Sequence, residues 1–97
     1  MPTIVQTNFF PSPDEPKIYL VYLYSEKHIP WEACMKILMR IFNRSHEEAL
    51  AITDEIQTNG EGLCGAYLYD IAETKAETVE RYAKKANLSL ECLLEDV

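Results

Sequence analysis

The stretch GLCGAYLYDIAETKAETVERYAKK, residues 62–85, changes its period halfway. Its first part, residues 62–69, is apolar and aromatic, which predicts a strand. Gly65 and Ala66 are small, so something packs closely on that strand. From Asp70 onward the apolar positions recur at helical spacing: Ala72, Ala76, Val79, Ala83 and Ala86. Asp70, with Glu73 three residues on, predicts the cap of this helix. An alanine-rich face lets a helix lie close to a sheet. Glu77 with Arg81, and Glu80 with Lys84, are i,i+4 pairs worth about 0.2–0.5 kcal/mol each.

Working outward, Leu88, Leu90, Cys92 and Leu94 alternate with Ser89, Glu91 and Glu95, which predicts a last, half-buried strand broken in pattern by Leu93. Upstream, Ser45 and Glu48 form an S-x-x-E capping box. It opens a helix striped by Ala49, Ile52 and Ile56 and stopped by Asn59 and Gly60. Before it, Pro30 suits the first turn of a helix. Trp31, Cys34, Met35, Leu38, Ile41 and Phe42 carry that helix to about Asn43. KIYLVYLY, residues 17–24, is continuously apolar, as a central strand buried on both faces, or nearly so, would be. The order is β-α-α-β-α-β. The fold class is α+β: a three-stranded antiparallel sheet covered on one face by three helices. In residues 1–16, Pro11, Pro13 and Pro16 deny a helix or central strand. They read as a flexible or extended N-terminal arm ahead of one domain at 17–97. The arm's Phe9 and Phe10 are free to dock on a surface.

Ninety-seven residues allow one domain with one modest core. A formal charge of -7 argues against nucleic acid and suits a basic partner surface. The longest apolar run, IYLVYLY, is far short of the roughly 20 residues of a membrane span, so no membrane role is expected. No basic region followed by an apolar one opens the chain, which points to the cytoplasm. Cys34, Cys64 and Cys92 are odd in number and form no CxxC pair. That argues against a metal site or a disulfide framework and for buried free thiols.

LYSEKHIPW, residues 23–31, crowds Ser25, Glu26, Lys27 and His28 into one connection. His28 and Cys34 have the chemistry of a base and a nucleophile, but Cys34 falls on a helix stripe and reads as structural. His46 lies in the capping region of the second helix and reads as solvated. Gly60, Gly62 and Gly65 lack the Lys-Ser/Thr of a phosphate loop. No catalytic residue, cofactor or metal is expected, and the chain does not read as an enzyme.

The C-G at Cys64–Gly65 and the A-E-T-K at Ala72–Lys75, with Tyr82, Ala83 and Cys92, resemble the ClpS family of adaptor proteins. The similarity runs from about Ile18 to Glu95. The family has the same β-α-α-β-α-β arrangement. The resemblance implies a non-enzymatic adaptor that binds the N-terminal domain of a Clp-type AAA+ ATPase. It further implies delivery of proteins with a bulky apolar N-terminal residue. It places the ATPase-binding surface at Glu73, Thr74 and Lys75, expected to be exposed in the first turn of the third helix. The family's loop of Asn-Asp-Asp, two residues and Pro-Met grips the free α-amine together with a His. Here those positions are Ser25, Glu26, Lys27, Pro30 and Trp31, with Gln57 in place of the His. Glu26 keeps a carboxylate, and Ser25 and Gln57 accept hydrogen bonds. Lys27 opposes a cationic ligand. The side-chain pocket of the degron falls on Ile29, Trp31, Cys34, Thr53, Ile56 and Leu90. N-terminal recognition is therefore expected to be altered or lost. The other reading is a structural interaction domain with no role in Clp proteolysis, since the C-terminal domain of the ribosomal stalk protein shares this arrangement.

Overall fold

The structure is a computed structural model that describes residues 17–96. The N-terminal arm and Val97 lie outside the described residues. The elements are β1 (Ile18–Tyr24), α1 (Trp31–Arg40), α2 (His46–Asn59), β2 (Glu61–Leu68), α3 (Tyr69–Lys85) and β3 (Glu91–Asp96). β1 lies in the centre of the sheet, in the order β2-β1-β3, and pairs antiparallel with both neighbours. The core sits between this sheet and the helices, around Val21, Leu23, Ile37, Leu38 and Val79, which are all about fully buried.

The expectation that β1 is buried, or nearly so, on both faces is corrected for its outer face. Val21 and Leu23 point into the core, but Leu20, Tyr22 and Tyr24 on the other face are half-buried and Ile18 is exposed. Among the described residues, helices pack on one side alone, and the outer face is covered only as far as neighbouring side chains on the sheet cover one another.

β2 shows why Cys64 and Gly65 stand together. Val21 pairs with Gly65, but Tyr22 pairs with Leu63, so Cys64 is an extra residue in the ladder. The bulge shifts the side-chain alternation by one. Gly62 and Cys64 face inward before it, Gly65 and Tyr67 after it. A Cβ on Gly65 would stand 2.7 Å from Arg44 Nη2 and 2.8 Å from Tyr67 Oη. The close packing expected at Gly65 is therefore an arginine and an aromatic ring. Ala66 faces outward and is exposed.

The capping box of α2 is present: the Ser45 hydroxyl accepts from Glu48 N–H, and Glu48 Oε1 accepts from Ser45 N–H at 3.0 Å. Gly60 ends α2 at φ 86°, a left-handed conformation that glycine adopts without strain. α1 ends at Arg40, earlier than expected, with Asn43 at φ 54° turning the chain. α3 begins at Tyr69 with Leu68 as its N-cap residue, so Asp70 lies inside the first turn and does not cap it. Ala86 is exposed, beyond the buried stripe of Ala72, Val79 and Ala83. The ion pair within 4 Å among the described residues is Arg44 with Glu48 at 3.9 Å, so the pairs read on α3 are not closed.

At Gly62 α2 packs close against the sheet. A Cβ there would lie 2.9 Å from Ile56 Cγ1 and 3.1 Å from the Ile52 carbonyl oxygen. The second neighbour is backbone and cannot rotate aside. Gly62→Ala is expected to destabilise the fold by about 1–3 kcal/mol through overpacking. The urea midpoint of the variant, at unchanged slope, measures this.

Candidate functional site

The loop after β1 turns on Ser25. Its N–H donates to the Gly60 carbonyl at 2.9 Å, which ties the loop to the end of α2. Its hydroxyl accepts from Lys27 N–H at 3.2 Å. The same hydroxyl lies 2.6 Å from the Ser89 carbonyl and 2.5 Å from the Lys27 carbonyl, and its single proton serves one of them at a time. Ser25 is thus buried and satisfied from within. It fastens the loop to the segment leading into β3. Sequence reasoning missed Ser89, because its part is played by a backbone carbonyl that no side chain announces.

Ser25, Glu26, Lys27, His28, Ile29, Ile56, Gln57 and Gly60 line one open hollow of about 200 Å³. The structure therefore brings Gln57, which is distant in sequence, together with the consecutive Ser25, Glu26 and Lys27. Gln57 donates its Nε2 to the Ile29 carbonyl at 2.9 Å, which leaves the amide oxygen to accept. Glu26 and Lys27 are exposed at the rim, and Tyr24 Oη approaches Glu26 Oε1 at 3.5 Å.

The residues expected around a side-chain pocket divide into four groups. Ile29 and Ile56 form the apolar wall of the hollow. Cys34 and Thr53 are fully buried in the core, and the Thr53 hydroxyl lies 3.5 Å from Met35 Sδ. Leu90 lines a neighbouring hollow of about 290 Å³ on the far side of the Ser25–Lys27 loop. Trp31 is 48% exposed and follows Pro30 at the start of α1.

Glu73, Thr74 and Lys75 occupy successive positions of α3, and each has an internal partner. Glu73 Oε2 accepts from Tyr69 Oη at 2.9 Å. The Thr74 hydroxyl donates to the Asp70 carbonyl at 2.9 Å. Lys75 is half-buried rather than exposed, and it belongs to the second turn of α3. Its Nζ donates to the Ile41 carbonyl at 2.6 Å. It also lies 5.1 Å from the Tyr67 ring centroid and 5.8 Å from that of Phe42. A cation on the last carbonyls of α1 is favourable to that helix, and the rings hold it by cation–π attraction. Arg44 completes the group, with Nε donating to the carbonyl of the bulged Cys64 at 2.8 Å. Lys75 and Arg44 therefore lock α3 and β2 to the end of α1.

The three thiols are free and buried. Burial pushes Cys34 up to about 11 and Cys92 up to about 12, and it raises Cys64 as well. None is a ready thiolate. Among the described residues no group of three or more His, Cys, Asp or Glu side chains could hold a metal ion. No helix among them is long and apolar enough to cross a membrane.

Residues 14–93 match the family described as "ATP-dependent Clp protease adaptor protein ClpS". The chain is similar to the ATP-dependent Clp protease adapter protein ClpS of Maricaulis maris, at 37% identity over 93 residues, covering 96% of this chain and 85% of that one. It is similar to the protein of the same description in Helicobacter hepaticus, at 38% identity over 84 residues, covering 87% and 85%. Among solved structures, Agrobacterium tumefaciens ClpS2 bound to L-phenylalaninamide matches with a TM-score of 0.78 at 26% identity. That match covers 86% of this chain and 100% of the other.

Two outcomes are expected. Lys75→Met keeps the stem and removes the cation from the Ile41 carbonyl, so thermal unfolding should show a loss of about 1–3 kcal/mol. At high pH the thiols set the direction. An unfolded thiol ionises near its ordinary value of 9, while the folded values of Cys34 and Cys92 are higher. Their contribution is full below about pH 9 and is lost as pH rises toward 11 and 12. Urea midpoints measured across that window should fall, and less steeply in Cys34→Ala.

Proposed function

The chain belongs to the ClpS family of ATP-dependent Clp protease adaptors, and from that premise we propose that its hollow receives the N-terminus of a peptide. It is a non-enzymatic adaptor of the Clp protease. It works in the cytoplasm by presenting proteins and leaves bond cleavage to the protease. The start of α3, with Glu73 and Thr74 exposed and Lys75 holding the helix in place, faces the N-terminal domain of the Clp-type ATPase. The substrates are proteins with a bulky apolar first residue.

One observation carries the reading of the hollow. A carboxylate, an amide oxygen and an apolar wall from Ile29 and Ile56 converge on a single cavity. The similar Agrobacterium protein is bound to L-phenylalaninamide, which has a free amine beside an apolar side chain. Here the ammonium pairs with Glu26 and the Gln57 amide oxygen, and the side chain runs along Ile29 and Ile56. Ser25 does not touch the ligand. Its hydrogen bonds are spent on holding the loop, so Glu26 supplies the charge.

Lys27 stands at the same rim and repels the ammonium. At an exposed position that repulsion is worth up to about 1 kcal/mol. Fluorescence anisotropy with labelled peptides beginning in Leu or Phe, free and N-acetylated, tests the assignment. The free peptides are expected to bind weakly, in keeping with the altered loop, acetylation to abolish that binding, and Lys27→Asp to strengthen it several-fold. Equal signals for free and acetylated peptides would show that the hollow does not read an N-terminus.

A further inference from the structure

Two hollows flank the loop after β1, and Ser25, Glu26 and Lys27 line both, so they form the ridge between them. Of the described residues around the two hollows, Glu26 and Glu91 are the carboxylates and Lys27 is the ammonium. Lys27 is exposed, and among the described residues no carboxylate lies within 4 Å of it. We infer that Lys27 reads the second residue of the bound peptide and selects an acidic side chain there. This inference rests on the reading of the hollow as the seat of a free α-amine.

The root of the Lys27 side chain is fixed before any ligand arrives. Its N–H donates to Ser25 Oγ at 3.2 Å, and its carbonyl lies 2.5 Å from the same hydroxyl. Only the four-carbon stem is left to move, and it swings an ammonium along the ridge. The first residue of the peptide has no use for that charge. Its side chain follows the apolar wall of Ile29 and Ile56, and its own ammonium is repelled. In an extended peptide the next side chain points the opposite way, one Cα step of about 3.8 Å further on. That turns it away from the wall and leaves it at the rim, where Glu26 and Lys27 stand exposed. A carboxylate there pairs with Lys27 and offsets the repulsion that the ammonium meets. The ligand then carries a positive and a negative charge one residue apart, which matches Glu26 and Lys27 side by side. A basic second residue meets a like charge instead and is disfavoured. The α-carboxylate of a free amino acid offers the same charge, and the experiment separates it from the peptide.

Fluorescence anisotropy with peptides that begin Leu-Asp, Leu-Asn and Leu-Lys and are otherwise identical tests this. The unmutated chain should bind the Leu-Asp peptide about threefold more tightly than the Leu-Asn peptide, as suits one exposed ion pair, and the Leu-Lys peptide most weakly. Added salt should shrink the difference. A peptide with its Asp moved to the sixth position should bind like the Leu-Asn peptide. The net charge of -7 works against acidic peptides, so the preference cannot come from the overall field. Lys27→Gln should erase the order and Lys27→Asp should reverse it. Both variants keep the hydrogen bonds at residue 27, which its backbone makes, and their thermal midpoints should match that of the unmutated chain. If acetylated and free peptides give equal signals, the reading of the hollow falls and this inference with it. If acetylation abolishes binding but the three peptides bind alike, or their order survives Lys27→Gln, the reading stands and the inference is overturned. Competition by phenylalanine and by its amide covers the second source. A Lys27-dependent advantage of the acid over the amide, with no order among the peptides, overturns the assignment to a second residue.

Discussion

The extra residue at Cys64 is the constraint on which much of the molecule turns. Without it, β2 would present one unbroken alternation, and Tyr67 would face solvent while Ala66 faced the core. With it, Tyr67 comes inward over Gly65 and meets Phe42 at a ring-centroid distance of 6.2 Å. Those two rings form the seat of Lys75, and the bulged carbonyl is the anchor of Arg44. The glycine is required because arginine and ring approach from the side where a Cβ would stand. One inserted residue therefore joins α1, β2 and α3 at a single knot.

The loop at 25–29 follows a similar economy at the opposite end of β1. Its polar side chains are divided between holding and exposing. Ser25 and the nitrogen of Gln57 hold, through backbone carbonyls on Ser89, Lys27 and Ile29. Glu26 and Lys27 are left outward, with opposite charges side by side. Such a loop is rigid at its base and electrostatically ambivalent at its rim. Changes to Glu26 or Lys27 alter the sign of the rim without touching the hydrogen bonds that shape the hollow.

The element order was legible because each element carries its own signal. The capping box at Ser45, the stop at Gly60 and the change of period near residue 69 are all local features. What could not be read was where side chains meet across elements. Asp70 has the chemistry of a cap, yet the chain passes from β2 into α3 without a turn, and Leu68 takes the cap position. The continuous apolarity of β1 suggested two covered faces, but the same composition serves a strand with a half-covered outer face. At the candidate site, the proximity of Gln57 to the 25–29 loop followed from the resemblance. The inward use of Ser25 did not, since a hydroxyl does not declare which carbonyl it will find. Lys75 likewise looked like a surface charge because the carbonyl it caps belongs to a helix 34 residues away in sequence.

The strand order has a consequence for how the domain is made. β1 is synthesised first but sits in the middle, with Tyr19 opposite both Tyr67 and Asp96. Its second edge stays unpaired until residues 91–96 have left the ribosome. Until then this strongly apolar strand keeps an open edge, able to template pairing with another strand. Completion of the sheet must then wait for loop closure across nearly the whole domain, a long-range step that slows folding. The nascent chain is therefore most vulnerable to association through Ile18–Tyr24, and β3 is the strand that ends that exposure.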